Sequence, residues 1–244
     1  SNLVDAAITN GAKAVILDPA NADGSVGVVR KATEAGIAVF LVNAEINESG
    51  IAIGQLVSNN AQGAAMGAIA WQEIVGEKAK FVEFYGNPAD NNAATRSNGY
   101  NTVINQYPDL QKVAQEVANW DRTQGYNKMQ SIMQATPDFN AVIAGNDEMA
   151  LGASAAMKEA QQLDGVIVGG FDGSPDAVEA IKAGEMAYTV LQPVAVFSRE
   201  AVIQADHYIQ NGSPLVSEEK QLFDCLLITP DNVEKYTAAF TLSD

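Results

Sequence analysis

The sequence predicts an α/β protein in which parallel sheets carry helices on both faces, and three observations support that class. Short apolar runs alternate with amphipathic stretches along nearly the whole chain, which is typical of strand–helix–strand units. The stretches between the runs repeat apolar residues at helical spacing, and several of them stop at glycine or proline. The alternation also supplies more strands than one small sheet would contain, so we expect two lobes.

The first half of the chain opens in a helix and then follows this strand–helix rhythm. Strands are predicted at 14–17, 37–42 and 81–85, and helices at 25–35, 62–75 and 93–106. Gly36 and Gly76 are expected to end two of these helices, because glycine adopts the left-handed conformation of a helix C-terminus without steric cost. The third helix is expected to end before Pro108, which cannot continue a helix.

The second half of the chain repeats the pattern. Strands are predicted at 113–117, 141–144, 166–170, 188–191 and 225–228, and helices at 122–135, 147–160 and 194–210. Ser174 and Pro175 are expected to open one more helix, as its N-cap and first-turn residues. The run Thr229-Pro230-Asp231 carries the same signal and predicts the start of a last helix.

The chain is expected to cross between the two lobes more than once. The first lobe is predicted to contain residues 1–58 and 193–223, and the second lobe residues 59–192 and 224–244. No low-complexity linker separates them, so the connections are predicted to be short, strand-like hinges. These hinges are expected near Val57-Ser58, Gln192-Pro193 and Phe223-Asp224.

Charge and composition argue against several classes of partner and chemistry. The formal net charge is -16, and a surface this acidic repels nucleic acid and anionic lipid. The chain has one cysteine, Cys225, and one histidine, His207, so an internal disulfide is impossible. Zinc sites and Ser-His-Asp catalysis both rely on these residue types, which makes a metal site or a catalytic triad an unfavourable interpretation. We therefore expect no cofactor and no metal.

Polar side chains recur where the predicted strands end, which is where open α/β sheets bind ligands. They combine amides, a carboxylate, an arginine and a tryptophan: Asn43, Asn91 or Asn92, Arg96, Trp120, Asn146, Asp172 and Gln192. Sugars suit this chemistry, since amides, carboxylates and guanidinium groups match hydroxyls and an aromatic ring covers the apolar sugar face. An asparagine or aspartate at a strand end serves equally well as a turn or N-cap residue. The recurrence at one end of many strands favours a binding site.

Three motifs carry a resemblance to a known family. They are GNDEMALGA at 145–153, VGGFDGSPD at 168–176 and RSNGY at 96–100. With them the chain resembles the ribose-binding-protein group of periplasmic solute-binding proteins, which serve ABC transporters. The resemblance implies a type I periplasmic binding protein with two Rossmann-like lobes that are joined by hinge strands. It also implies that the protein is not an enzyme, lies outside the cytoplasm, and captures a monosaccharide or sugar alcohol between its lobes for transporter membrane subunits.

The resemblance also suggests which residues contact the ligand. The family's ligand positions fall on Asn43, Arg96, Trp120, Asn146, Asp172 and Gln192. Asp172 and Asn146 would exchange hydrogen bonds with hydroxyls, Arg96 would bridge two oxygens, and Trp120 would stack on the sugar. Asn91 or Asn92, in an unusually polar run, is expected to reach the ligand as well.

Two departures from the family pattern affect these expectations. Ribose binders typically carry an Asp-Arg pair where this chain has Asn43-Ala44, so a different sugar or a sugar alcohol is at least as good a candidate as ribose. The strand–helix–strand unit that opens the family's first lobe, of roughly 30 residues, has no counterpart here. The first lobe is therefore expected to be incomplete, and the protein to be a monomer unless another chain pairs with it.

Two other functions remain open at the level of the sequence. The same motifs occur in the sugar-sensing effector domains of LacI-type transcriptional repressors, which would require a DNA-binding helix pair upstream. An α/β enzyme acting on sugars would require a pair of carboxylates with separated pKa values. Asp172 has no obvious acidic partner within its motif.

Overall fold

The computed structural model describes residues 2–136 and 138–236 of the chain, which form two compact units. Unit 1 contains the residues up to Asn59, Ala89–Asn91 and Pro193–Phe223. Unit 2 contains Asn60–Pro88, Asn92–Gln192 and the stretch from Asp224. The predicted boundaries differ in placing Asn59 and Ala89–Asn91 in the second lobe. Ala89 lies with unit 1 because its carbonyl oxygen accepts a 2.8 Å hydrogen bond from the backbone N–H of Ala22.

Helices and strands alternate along the chain. The helices are α1 (Asn2–Thr9), α2 (Val26–Glu34), α3 (Asn60–Val75), α4 (Asn91–Ile104), α5 (Arg122–Ala135), α6 (Asp147–Glu159), α7 (Pro175–Lys182) and α8 (Val194–Asn211). The strands are β1 (Ala14–Leu17), β2 (Ala38–Val42), β3 (Gly54–Ser58), β4 (Lys78–Tyr85), β5 (Asp109–Val117), β6 (Ala141–Ala144), β7 (Ile167–Gly169), β8 (Thr189–Leu191), β9 (Lys220–Phe223) and β10 (Leu226–Ile228). Among the helices described, none is long and apolar enough to cross a membrane.

Unit 1 is built on a parallel sheet with the strand order β1-β2-β3-β9. Alternate residues of β2 point to opposite faces of this sheet. Val39 and Leu41 pack with the apolar residues of α1 and α2, whereas Ala38 and Phe40 pack against α8. The strand is buried on both faces, which is why its sequence is a continuous apolar run.

Unit 2 is built on a parallel sheet with the strand order β5-β4-β6-β7. Bridges join Gly169 to Tyr188 and Asp172 to Leu191, so β8 continues the sheet beyond β7. The last strand, β10, runs antiparallel to β8. Val142 and Ala144 of β6 face a core that includes α5, α6 and α7, and the alternate residues of the strand face a core that includes α3 and α4. Helices cover both faces of the sheet, as the fold class requires.

Most predicted elements form, and the differences have local causes. The predicted strands did not include β3 and β9, which are full members of the unit 1 sheet. Their residues are too mixed in polarity to predict a buried strand. Both strands end next to predicted hinges, and the chain passes from one unit to the other after Asn59, Gln192 and Phe223. The predicted start of a last helix at Thr229 is wrong for the described residues. Instead, Asn232 precedes a short 3₁₀ helix at Val233–Lys235, and residues 237–244 lie outside the described part of the chain.

Candidate functional site

A buried arginine organises the polar cluster of unit 2. Arg96, on α4, is only 3% exposed. Its Nε donates to Oδ1 of Asn60 at 2.8 Å, and its Nη1 donates to the carbonyl oxygen of Gly145 at 2.8 Å. The guanidinium carbon lies 3.8 Å from the centroid of the Phe171 ring. These contacts fix the guanidinium plane while leaving Nη2 without a hydrogen bond to any described residue.

Asp172 faces this arginine from the loop that follows β7. Its Oδ1 accepts hydrogen bonds from Nη1 of Arg96 at 3.2 Å and from Nε2 of Gln192 at 2.7 Å. Burial raises the pKa of Asp172, while the charge of Arg96 and the bond from Gln192 act in the opposite direction. The side chain is 23% exposed, and its Oδ2 has no hydrogen-bond partner among the described residues. The backbone φ of 130° is rare for a residue with a side chain.

Trp120 lies beside the same arginine, at the end of β5. The centroid of its ring is 5.3 Å from the guanidinium carbon of Arg96. The chain reaches this position through two consecutive left-handed residues, with φ of 51° at Asn119 and 65° at Trp120. The indole lies against Gly86, where an added Cβ would stand 2.1 Å from the ring. Its Nε1–H is buried and has no hydrogen-bond partner within the described part of the chain.

Asn146 follows β6 and is engaged in two contacts with the protein. Its Oδ1 accepts the backbone N–H of Met149 at 3.0 Å, which makes Asn146 the N-cap of α6. Its Nδ2 donates to the carbonyl oxygen of Trp120 at 3.3 Å. Asn146 therefore ties the Trp120 loop to the start of α6.

Asn91 and Asn92 are adjacent in sequence but belong to different units. Nδ2 of Asn91 donates within unit 1, to Oδ1 of Asn47 at 2.7 Å and to Oε1 of Glu45 at 3.2 Å. Asn92 lies in unit 2, where its Oδ1 accepts a hydrogen bond from Nδ2 of Asn60 at 2.9 Å. Asn92 thus supports the asparagine that orients Arg96, a role that the sequence did not indicate.

Unit 1 contains a smaller polar group at the ends of β1 and β2. Asn43 adopts a left-handed φ of 66° after β2, and its Nδ2 donates to Oδ2 of Asp18 at 3.1 Å. Burial raises the pKa of Asp18, partly offset by the hydrogen bond from Asn43 and reinforced by the nearby charge of Asp90. Asp18 was missed in the sequence, although it follows a strand just as Asn43 does.

The described residues contain no group of three or more histidine, cysteine or acidic side chains that could hold a metal ion. Cys225, the single cysteine of the sequence, is buried in unit 2. The arrangement in unit 2 offers hydrogen-bond donors and acceptors beside an aromatic ring, which is chemistry for binding a polyhydroxylated molecule.

Comparisons with known proteins agree on the class of the chain. The model of the periplasmic binding protein domain matches residues 1–213. The D-apiose import binding protein of Paraburkholderia graminis is 52% identical over 235 residues, which are 96% of this chain and 75% of that protein. The D-apiose import binding protein of Actinobacillus succinogenes is 48% identical over 242 residues, which are 99% of this chain and 77% of that protein.

A solved structure has the same fold at lower identity. An ABC transporter solute-binding protein from Bacillus halodurans with bound myo-inositol superposes with a TM-score of 0.89 at 27% identity. That match covers 96% of this chain and 80% of the other. These three proteins are named as binding proteins of import or transport systems, and none of the three is named as an enzyme or as a repressor.

Proposed function

The chain belongs to the family of periplasmic binding protein domains, and on that premise we propose that it captures D-apiose for an ABC import system. Family membership confirms the predicted resemblance, the α/β class and the absence of an enzymatic role. Relatives and structural neighbours bind sugars and a cyclic polyol, which supports a monosaccharide or sugar alcohol as the ligand class. D-Apiose is the first candidate because two relatives, at 52% and 48% identity, are named for it.

The observation that carries the proposal is the pairing of Arg96 with Asp172. One oxygen of the carboxylate is fixed by Arg96 and Gln192, and the other has no hydrogen-bond partner among the described residues. The Nη2 group of Arg96 also makes no hydrogen bond to any described residue. A fixed donor beside a fixed acceptor matches two neighbouring hydroxyls, each of which can donate and accept. A rigid pair of this kind binds with little loss of side-chain entropy.

The other predicted ligand residues differ in the contacts that support a role in binding. Trp120 presents an aromatic ring next to the guanidinium, which suits the apolar face of a sugar. Gln192 contacts the carboxylate and serves at least to orient it. Asn43, Asn91 and Asn146 remain proposed ligand residues, and each has a protein contact that a ligand would have to share or replace.

Titration of the purified chain with D-apiose, D-ribose, xylitol and myo-inositol tests the ligand. A ligand at a hundred times its Kd stabilises the folded state by about 2.7 kcal/mol. In a chain of this size the unfolding midpoint then rises by roughly 5–10 °C. Selective stabilisation by D-apiose supports the proposal, selective stabilisation by another compound replaces D-apiose with that compound, and the absence of any response contradicts it.

A matched pair of variants tests the site. Asp172→Asn removes the charge that pairs with Arg96, and we expect it to weaken the affinity at least tenfold. Asp164→Asn makes the same chemical change at an exposed position and should leave the affinity unchanged. Equal affinities for the two variants would contradict the placement of the site.

The partner and the location are the finer parts of the proposal. The ligand-bound protein works outside the cytoplasm, as a monomer, and delivers its ligand to the membrane subunits of an ABC transporter. The family supports an extracytoplasmic place of action. Light scattering of the purified chain tests the monomer, and ligand-dependent stimulation of ATP hydrolysis by the reconstituted transporter tests the partner.

A further inference from the structure

A second carboxylate lies beneath the ligand-facing one and is not part of the proposed contacts. Asp147 is the first residue of α6 and is fully buried, with 0% exposure. Its Oδ2 accepts the backbone N–H of Ser174 at 2.7 Å, and its Oδ1 accepts the hydroxyl of Thr189 at 2.6 Å. The main-chain N–H of Asp147 also donates to the carbonyl oxygen of Phe171 at 2.7 Å.

These bonds hold the turn that carries Asp172 from both sides. Phe171 precedes Asp172 and is bound by the backbone of Asp147, whereas Ser174 follows it and is bound by the carboxylate. Between them, the N–H of Gly173 donates to Oγ1 of Thr189 at 3.1 Å. Thr189 therefore links Asp147 to the residue directly after Asp172.

The turn needs such support because its conformation is unfavourable. Asp172 has a φ of 130°, which sterics disfavour for any residue with a side chain. Such a backbone persists only when surrounding contacts determine it. Closely fitting glycines make room for those contacts: a Cβ at Gly170 would stand 2.3 Å from Oδ1 of Asp147, and one at Gly173 would stand 2.5 Å from the Leu191 side chain.

We propose that Asp147 is a positioning residue of the binding site, which acts through Thr189 and Ser174 to hold the Asp172 carboxylate against Arg96 and Gln192. The inference rests on the proposed function, in which Asp172 contacts the ligand. Asp147 itself does not contact the ligand. It determines the direction in which the acceptor oxygen of Asp172 points, and hence the geometry that two sugar hydroxyls would meet.

The electrostatic interaction between Asp147 and Asp172 indicates which substitutions of Asp147 are informative. Burial raises the pKa of Asp147 to about 8, and the charge of Asp172 acts in the same direction. A carboxyl group that retains its proton near neutral pH resembles a carboxamide: one oxygen accepts from the N–H of Ser174, and the other side donates to Oγ1 of Thr189, whose hydroxyl then rotates from donor to acceptor. Asparagine should therefore replace Asp147 with little loss, whereas alanine removes both contacts.

Two pairs of variants test the network, each with a conservative member. We expect Asp147→Ala and Thr189→Val to weaken D-apiose binding at least tenfold. Asp147→Asn and Thr189→Ser should stay within about threefold of the parent chain, since they keep the polar atoms. Ile132→Ala, in the α5 core, is the control for destabilisation alone, because Ile132 is buried in unit 2 and takes no part in the network.

The measurements are the Kd and the unfolding midpoint of each variant. The proposal requires Thr189→Val to lose affinity while Thr189→Ser retains it, and requires Ile132→Ala to lose stability without losing affinity. Equal Kd values for Thr189→Val and Thr189→Ser would overturn it. The proposal would also be overturned if the loss of affinity in every variant, including Ile132→Ala, were proportional to the drop in its unfolding midpoint.

Crystal structures of the ligand-free parent chain and of Thr189→Val separate this inference from the function on which it rests. We expect the variant to lose the contact between Oδ1 of Asp172 and Nη1 of Arg96, which is 3.2 Å in the parent chain. An unchanged Asp172 turn would overturn the inference even if the parent chain binds D-apiose. If the parent chain binds none of the sugars, the proposed function fails and the two structures still decide whether the network holds the turn.

Discussion

Replacing Gly86 by alanine should displace the Trp120 ring, and the structure sets the size of the effect. An added Cβ would stand between 2.1 and 2.3 Å from three atoms of the indole. Carbon atoms reach their best separation at about 3.5–4.0 Å, so the ring has to withdraw by more than about 1 Å. Its backbone cannot follow easily, because Asn119 and Trp120 already occupy left-handed conformations. Forced repacking of this kind costs roughly 1–3 kcal/mol.

The same displacement should reduce ligand affinity. The ring that would face the sugar moves away from Arg96, and loss of an aromatic contact worth about 0.5–1.5 kcal/mol corresponds to roughly a two- to tenfold weaker Kd. Differential scanning calorimetry gives the stability and isothermal titration with D-apiose gives the affinity.

Gly27→Ala is the matched control, because a Cβ there meets nothing within 4 Å and the residue lies inside α2. The control should be as stable as the parent chain or more so. A Gly86→Ala protein with the parent's unfolding midpoint and affinity would refute the placement of Trp120.

Three further predictions concern Asp147, Arg96 and the exposed side chain of Arg122. Burial raises the pKa of Asp147 from 3.8 to about 8, so the folded state keeps a proton that the unfolded chain releases above roughly pH 4. The contribution of Asp147 to the free energy of unfolding should therefore fall as the pH rises from about 4 to 8. Urea titrations at several pH values should show a smaller dependence on pH for Asp147→Asn than for the parent chain. An identical dependence in both proteins would contradict the buried proton. Arg96→Lys keeps the charge but loses the planar guanidinium group and its stacking on Phe171. The Kd for D-apiose, measured by isothermal titration, should therefore rise at least tenfold. The control Lys128→Arg, on α5, should leave the Kd unchanged. Arg122 forms ion pairs with Glu148 and Asp176, but its side chain is 43% exposed. Because exposed ion pairs are weak, Arg122→Ala should lower the free energy of unfolding by no more than about 1–2 kcal/mol in thermal unfolding. A larger loss would contradict this assignment of the ion pairs as weak.

Local sequence signals were sufficient for most elements of the fold. The run Ala141–Ala144 is apolar throughout because both faces of β6 are covered, and such a strand is recognisable without knowledge of its neighbours. Ser174 and Pro175 marked the start of α7, where the Ser174 hydroxyl accepts the N–H of Ala177 at 3.3 Å. By contrast, β3 and β9 contain glutamine, serine and lysine, and only their position in the sheet makes them strands.

The candidate site shows the same division between local and distant information. The strand-end rule pointed to Arg96, Asp172 and Gln192, and the structure brings these three side chains into one hydrogen-bonded group. Asn60 lies 36 positions from the arginine that it orients, so no pattern around Arg96 reveals it. Asp147 stands inside a motif that the sequence displayed, but its role depends on Thr189, 42 positions away.

The sequence by itself determined the fold class, the family and the chemical types of the residues at the strand ends, because these depend on periodicity and on short motifs. Only the tertiary structure decided which polar atoms have partners and which do not. It placed the Asp172 carboxylate against Arg96, committed Asn146 to capping α6, and buried Asp147 beneath the turn. The physical reason is that hydrogen bonds and desolvation depend on distances of a few ångströms between residues that are far apart in the chain.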